Sequence, residues 1–161
     1  MFDTKRFPVI AVVALSALGA PAWGADDEAG VTKLISTCTA INNFVDVGSP
    51  GLSPGDLYVW VDELFIPDGS RKVGQAIGRC NLIDPAAGSF GCTVIGAFAE
   101  GTITTEMILY NVPGVVSVGA ITGGTGRFQG ATGEISVDLG APCGPHHLTI
   151  KLRPATLKLQ E

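Results

Sequence analysis

Apolar and polar residues alternate with a period of two through most of this chain, and no segment shows a convincing helical period. Eight such segments are separated by turns rich in glycine and proline. The predicted strands are Val31–Val45, Asp56–Ile66, Lys72–Ile83, Ser89–Ala99, Gly101–Tyr110, Val115–Thr122, Gly133–Leu139 and His147–Leu159. Eight strands with regular turn signals predict an all-β protein, either an antiparallel barrel or a sandwich.

The residue patterns of the second and third predicted strands indicate what the interior contains. One face of the third carries only small residues, namely Gly74, Ala76, Gly78 and Cys80, whereas the second strand is apolar on both faces. Small residues opposite large aromatic ones would leave room for a ligand inside a closed barrel. A tightly packed sandwich core fits the same pattern, and both remain open. A strand that is apolar on both faces also suggests that a neighbouring subunit covers its outer side.

The segment 120–134 contains five glycines in eleven residues, between two β-branched runs. Because only glycine enters left-handed backbone regions without a Cβ penalty, this glycine corner predicts successive sharp turns between two strands. A phosphate-binding loop would have to open a helix. Here the residues that follow, Gly133–Leu139, alternate like a strand, so the nucleotide interpretation fails. We expect Arg127 to hold the corner by hydrogen bonds.

The first 24 residues have the pattern of a secretory signal peptide. Lys5 and Arg6 precede the apolar run 7–20, and Ala22-Trp23-Gly24 offers the small residues of a cleavage site. The run is too short for a spanning helix. We therefore expect a single domain over residues 25–161 that is secreted or periplasmic and has no membrane contact after cleavage.

Charge argues against a nucleic-acid partner. The whole chain has 10 basic and 15 acidic residues. Removal of Asp3, Lys5 and Arg6 with the signal leaves 8 basic and 14 acidic residues, a net charge of −6. The sequence contains no run of lysine and arginine that could neutralise phosphates.

Four cysteines in an exported protein suggest two disulfides. Cys80 and Cys92 lie symmetrically about Ala86, within a turn-forming stretch, so they could face each other across a hairpin. Cys38 and Cys143 would then join the first strand region to the last. The alternative is that Cys80 is a free thiol in a cavity.

Several motifs together resemble the allene oxide cyclase-like barrels and the related dirigent proteins. They are 55–60 (GDLYVW), 62–64 (DEL), 78–83 (GRCNLI), 101–103 (GTI) and the glycine corner, 120–131 (AITGGTGRFQGA). The similarity runs from about Thr39 to Leu152. It implies an eight-stranded, antiparallel, closed β-barrel with a mostly apolar lumen, assembled as a trimer or dimer.

The same resemblance implies site residues. Asn42 corresponds to a cavity asparagine of the plant cyclases, whereas Ala40 stands where those enzymes carry a glutamate. Cys80 corresponds to their cavity cysteine and Trp60 to their cavity phenylalanine. Asp62 is the nearest equivalent of the aspartates that dirigent proteins use. The candidate catalytic residues are therefore Asn42, Asp62 and Cys80, and without the glutamate we do not expect plant allene oxide cyclase activity itself.

Other lumen candidates come from the alternation. Tyr58, Trp60, Leu64 and Met107 would bind a ligand if the lumen is open, although such residues are most often plain core. Solvent exposure is expected for Glu106, the neighbour of Met107.

No metal and no other cofactor is expected. His146 and His147 diverge on a strand, and no third ligand lies at a typical spacing.

The sequence thus predicts a barrel that binds a small apolar or aromatic molecule and guides its cyclisation or isomerisation through lumen shape. A non-catalytic carrier resembling a lipocalin is the alternative, and dirigent-type control of a coupling reaction is a third hypothesis. Two or more polar groups that converge in the cavity would favour the enzyme, whereas a wholly apolar cavity would favour the carrier.

Overall fold

The computed structural model describes residues 30–140 and 143–153, which form a closed, eight-stranded antiparallel barrel. The strands are β1 (Val31–Val45), β2 (Leu57–Phe65), β3 (Lys72–Asp84), β4 (Ser89–Phe98), β5 (Gly101–Tyr110), β6 (Val116–Gly124), β7 (Thr132–Asp138) and β8 (His146–Arg153). Each strand pairs with its neighbour in sequence, and β1 pairs with β8 to close the barrel. The barrel prediction is confirmed. The proposed signal peptide and the last predicted residues of β8 lie outside the described residues.

The alternation that predicted the strands also decides which side chains point inward. On β3, Ala76 and Cys80 are buried, whereas Ile77 and Arg79, which lie between them, are exposed. The small-residue face therefore points into the barrel, as predicted. Closure removes the sheet edges, so every described strand finds backbone partners on both sides.

The glycine corner closes one end of the barrel. A short 3-10 helix, Gly126–Phe128, follows β6, and the buried Phe128 ring lies 5.8 Å from the ring of Phe98. The backbone N–H of Arg127 donates to the carbonyl of Glu100 at 2.9 Å, which joins the corner to the β4–β5 turn. The corner is thus a strand-to-strand connection, and it seals the interior at this end.

The opposite end carries the loop 46–56, which is organised by the fully buried Asp56. Its carboxylate accepts hydrogen bonds from the backbone N–H groups of Val47, at 2.8 Å, and Ser53, at 2.7 Å. These bonds stabilise the charged form and hold the pKa of Asp56 below its usual range.

The outer surface of β2, β3 and β4 carries an apolar row. Val61 pairs with Ile77, and Ile77 pairs with Ile95. Ile77 is 43% and Ile95 38% exposed, while Val61 is half-buried. Cover by a second subunit stays a prediction. Within residues 30–140 and 143–153, no helix has the length and apolar character needed to cross a membrane.

Candidate functional site

The barrel encloses a cavity of about 620 Å³ that reaches the end carrying the loop 46–56. Leu52 from that loop and Val112 from the β5–β6 connection line its outer part, and Leu64 and Ile121 line its inner part. The wall is mostly apolar. The sequence was compatible with a barrel that has room for a ligand and with a tightly packed sandwich core. The structure is a barrel with such a cavity.

Gly78 on β3 provides the space that the Trp60 ring occupies in the cavity wall. It pairs with Trp60 on β2, and a Cβ atom at Gly78 would lie 2.0 Å from the nearest indole carbon. The indole therefore lies directly over the glycine backbone. A side chain at this position would push the ring toward the cavity.

All four predicted ligand-binding residues line the cavity: Tyr58, Trp60, Leu64 and Met107. The Tyr58 ring lies 6.3 Å from the ring of Phe90, so the aromatic wall continues onto β4. Glu106 faces outward, as expected, and accepts a hydrogen bond from Thr93 at 3.0 Å. Ligand binding by these residues stays a prediction.

An irregularity in β1 directs several polar side chains into the lumen. Cys38 pairs with Asp62 and Asn42 pairs with Trp60, so three residues of β1 lie opposite a single residue of β2. Thr39 anchors this bulge through a hydrogen bond to the carbonyl of Val61, at 2.6 Å. Cys38 and Asn42, which lie on either side of the bulge, both line the cavity. Ala40, between them, is exposed.

Asp62 presents a buried carboxylate to the lumen, where it shares the face of Trp60. It is 5% exposed, and the hydroxyl of Ser36 donates to its Oδ2 atom at 2.5 Å. Its neighbour Glu63 points the other way and forms an ion pair with Lys72 at 2.7 Å. The two acidic residues are therefore not a catalytic pair, as their adjacency on a strand predicts.

His146 enters the same polar cluster from β8. It is 8% exposed, and its Nδ1 atom lies 2.5 Å from the carbonyl oxygen of Leu139. A carbonyl can only accept, so Nδ1 carries the hydrogen, and Nε2 is the ring nitrogen that can offer a lone pair. His147 is exposed, which confirms that the two histidines diverge.

Ligand atoms from Cys38, Asp62 and His146 all lie within 4.8 Å of one another. The three residues come from β1, β2 and β8, so their proximity depends on barrel closure. Sequence spacing missed this cluster because no pair of these residues is close along the chain.

The expected Cys38–Cys143 disulfide is not formed, and both cysteines are free. The amide nitrogen of Asn42 lies 4.0 Å from the sulfur of Cys38 and 3.3 Å from that of Cys143. Cys143 lies in the loop before β8, and its thiol is close enough to that of Cys38 for a hydrogen bond. Asn42 thus contacts both thiols at the mouth of the lumen.

Burial dominates the electrostatics of this cluster. It raises the pKa of the Cys38 thiol to about 12, with further contributions from the hydrogen bond to Cys143 and the charge of Asp62. Burial also raises the pKa of Tyr58, while a hydrogen bond with Asn42 acts in the opposite direction. Both groups are therefore neutral at physiological pH.

The expected Cys80–Cys92 disulfide is confirmed. The two residues pair across the β3–β4 hairpin with their Cα atoms 4.0 Å apart, and their sulfurs are bonded. The assignment of Cys80 as a catalytic thiol is therefore wrong, because its sulfur is already in a disulfide. The hairpin register that brings the cysteines together also excludes the free-thiol alternative.

No protein-family model matches the chain, and no curated protein matches it. Several solved structures are similar to the chain. A pyocyanin demethylase is 24% identical and superposes with a TM-score of 0.66, over 76% of this chain and 99% of that one.

A pterocarpan synthase dirigent protein is 17% identical, with a TM-score of 0.60 over 76% of this chain and 91% of that one. A nonspecific heme-binding cyclase that catalyses a 4 + 2 cycloaddition during neoabyssomicin biosynthesis is also 17% identical, with a TM-score of 0.60 over 84% and 70% of the two chains. Shared topology along nearly the full barrel, with low identity, establishes the fold. The chain has the barrel fold of the allene oxide cyclase-like and dirigent proteins.

Proposed function

We propose that this protein binds a small, largely apolar or aromatic molecule in its lumen and guides the cyclisation or isomerisation of that molecule. The observation that carries the proposal is an apolar cavity of about 620 Å³ with Asn42, Asp62 and His146 converging on its wall. Ligand pockets for small organic molecules are typically about 300–1,000 Å³ and mostly apolar, with a few placed polar groups.

The polar groups are suited to orienting a substrate and moving a proton. Ser36 fixes one carboxylate oxygen of Asp62, which leaves the other for a substrate hydroxyl or a proton. Leu139 fixes the tautomer of His146, so Nε2 can accept a hydrogen bond. The apolar wall would hold the substrate folded, which lowers the entropic part of a cyclisation barrier.

The structural neighbours support this class of function. Two of them are named for a dirigent pterocarpan synthase and for a cyclase that performs a cycloaddition. The same barrel thus hosts at least one ring-forming reaction, the cycloaddition of that cyclase. Because sequence identity to these neighbours is below 25%, their substrates do not identify the substrate of this protein. The shape and chemistry of its own lumen select that substrate.

A carrier that stores a small molecule without changing it is the second candidate. The predominance of apolar residues in the wall favours it. The enzyme hypothesis is preferred because a purely apolar ligand would offer no partner to the second carboxylate oxygen of Asp62 or to Nε2 of His146, at a cost in binding free energy.

The two candidates are separated by a two-step experiment. Native mass spectrometry of the protein purified from its own host identifies the retained small molecule. That compound, or its linear precursor, is then incubated with the wild type and with Asp62→Asn, which keeps the shape of the side chain. We expect both proteins to retain the molecule and only the wild type to convert the precursor, with Asp62→Asn slower by about 10²–10⁴-fold if the carboxylate transfers a proton.

Equal turnover by the two proteins would remove Asp62 from the mechanism. Retention of an unchanged molecule by both, with no conversion of any precursor, would establish the carrier. Absence of any retained molecule, together with Trp60 fluorescence that does not respond to planar aromatic probes, would overturn lumen binding altogether.

A further inference from the structure

Three side chains of different chemistry meet on the lumen wall. The sulfur of Cys38, a carboxylate oxygen of Asp62 and a ring nitrogen of His146 lie within 4.8 Å of one another. Asp62 and His146 are buried, and Cys38 is half-buried. Such a set of nitrogen, oxygen and sulfur donors is typical of sites for Zn²⁺ and similar divalent transition metals, whereas Mg²⁺ and Ca²⁺ prefer oxygen alone.

Two of the three candidate ligands, Asp62 and His146, are oriented by hydrogen bonds to neighbouring residues, as ligands in metal sites commonly are. The Nδ1–H group of His146 donates to the Leu139 carbonyl, so Nε2 is the nitrogen available to bind a metal. The Ser36 hydroxyl donates to Oδ2 of Asp62 and fixes the carboxylate. Backbone carbonyls and hydrogen-bonded carboxylates commonly orient metal ligands in this way and raise their basicity.

The spacing requires only a small adjustment. Ligands at 2.0–2.3 Å from a tetrahedral Zn²⁺ ion lie roughly 3.3–3.7 Å from one another. The widest separation in the cluster, no more than 4.8 Å, must therefore shorten by about 1 Å. Side-chain torsions of Cys38 and Asp62 can supply this shift without moving the strands, since the two residues are direct cross-strand partners.

We propose that Cys38, Asp62 and His146 form a binding site for a divalent transition metal ion such as Zn²⁺, with a fourth coordination position that faces the cavity. All three residues line that cavity. Three protein ligands and one open position are characteristic of zinc sites that bind an exogenous molecule. The site does not depend on the proposed function, because the metal can bind whether or not the lumen holds an organic ligand.

Cys143 provides the main competing state. Its thiol is free and is hydrogen-bonded to that of Cys38, so oxidation would join them and remove the sulfur ligand. The Cys143→Ser variant blocks this disulfide and keeps the Cys38 thiol available. The Cys80–Cys92 disulfide stays intact in this background, since no reductant is needed.

The test is titration of the full-length Cys143→Ser protein, freed of metal by a chelator, with Co²⁺ and then Zn²⁺. We expect one Co²⁺ ion per chain, a thiolate-to-cobalt charge-transfer band in the near ultraviolet, and displacement of Co²⁺ by Zn²⁺. Adding Cys38→Ser should abolish the band. His146→Gln should weaken binding by at least about tenfold, since even changes behind metal ligands cost about 10–100-fold.

The matched control is His147→Gln, because His147 is the exposed neighbour on the same strand. It should leave the affinity within about twofold, as expected for a histidine that is not a ligand. Ser36→Ala keeps all three ligands and should weaken binding by about 10–100-fold. Circular dichroism confirms the fold of each variant, and Ser36→Ala provides the test if Cys38→Ser does not fold.

Three results would overturn the site. The first is a Cys143→Ser protein that binds no Co²⁺. The second is a charge-transfer band that persists in the Cys38→Ser variant. The third is an equal loss of affinity in His146→Gln and His147→Gln, which would identify adventitious binding by surface histidines.

Discussion

Gly78 and Trp60 show how one missing side chain shapes the lumen. The sequence predicts that both residues face inward, since each follows the period of its strand. It does not predict that the indole lies on the glycine backbone, because that contact depends on the β2–β3 register. The sequence thus places Gly78 among several small inward residues, and only the strand register shows that it is the one beneath Trp60.

Replacement of Gly78 by alanine should displace the Trp60 ring, since the new Cβ would lie 2.0 Å from an indole carbon. We expect a loss of about 1–3 kcal/mol in the free energy of unfolding from overpacking. Urea denaturation measures the loss, and a change in tryptophan emission reports the movement of the ring. Arg79→Ala, at the exposed neighbouring position, should change stability by less than about 0.5 kcal/mol. Equal effects of both variants would contradict the contact.

Asp56 makes the stability of the cavity mouth depend on pH. Its pKa is lowered in the folded state by the N–H groups of Val47 and Ser53, so its stabilising effect is complete above the unfolded value of about 3.9. The effect is lost as the pH falls through the lower folded value. We therefore expect the wild type to lose stability below about pH 4 more steeply than Asp56→Asn, which is less stable at pH 7. Thermal unfolding between pH 2 and pH 7 measures both curves, and parallel curves would refute the role of the carboxylate.

The glycine corner is the element that the sequence identifies best. Its glycines predict turns, and the structure gives the reason at Gly126, which has φ 58° and whose Cβ would lie 2.2 Å from the carbonyl oxygen of Glu100. Gly123 in the same corner has open space around its missing Cβ. Sequence alone cannot tell these two glycines apart, because the difference arises from the β4–β5 turn packed beneath one of them.

Gly126→Ala should therefore be much more damaging than Gly123→Ala. A left-handed backbone costs a non-glycine residue about 1–3 kcal/mol, and the clash with Glu100 adds to this cost. For Gly123→Ala we expect a change below about 0.5 kcal/mol. Differential scanning calorimetry compares the two melting temperatures. Similar shifts in both variants would contradict the backbone strain and the contact with Glu100 assigned to Gly126.

The bulge in β1 is the element that the sequence reading missed. The predicted bounds of β1 agree with the structure, yet a continuous strand would not reveal that Thr39, Ala40 and Ile41 together lie opposite one residue of β2. The bulge moves Asn42 along the lumen wall, where it meets both free thiols. Alternation gives the face of a residue, whereas its height in the barrel depends on register.

At the scale of the whole molecule, one end of the barrel is sealed and the other carries the loops around the cavity. The sealed end holds Phe98 and Phe128, and the loop 46–56 lies at the other end. The apolar row of Val61, Ile77 and Ile95 runs across the outer wall. Exposed apolar rows of this kind mark association surfaces in many proteins, which agrees with the homo-oligomer expected from the resemblance.

Substitution of Ile77 by glutamate tests this association. We expect the wild type to have the mass of a dimer or trimer by size-exclusion chromatography with light scattering, and Ile77→Glu to be a monomer, because a buried unpaired charge opposes assembly. Ile83→Glu, exposed at the end of the same strand, is the control. A wild type that is monomeric at every concentration would overturn the expected oligomer.

The sequence by itself determined the strand count, the turns between the strands and the resemblance to a known barrel, and it offered the Cys80–Cys92 hairpin disulfide as one of two alternatives. These features are local, since alternation and turn residues act within a few positions along the chain. Only the tertiary structure decided that the lumen is open, that Cys38 and Cys143 stay free, and that Cys38, Asp62 and His146 meet. Those features depend on closure of β1 against β8 and on the strand registers, which place residues together that are far apart in the chain.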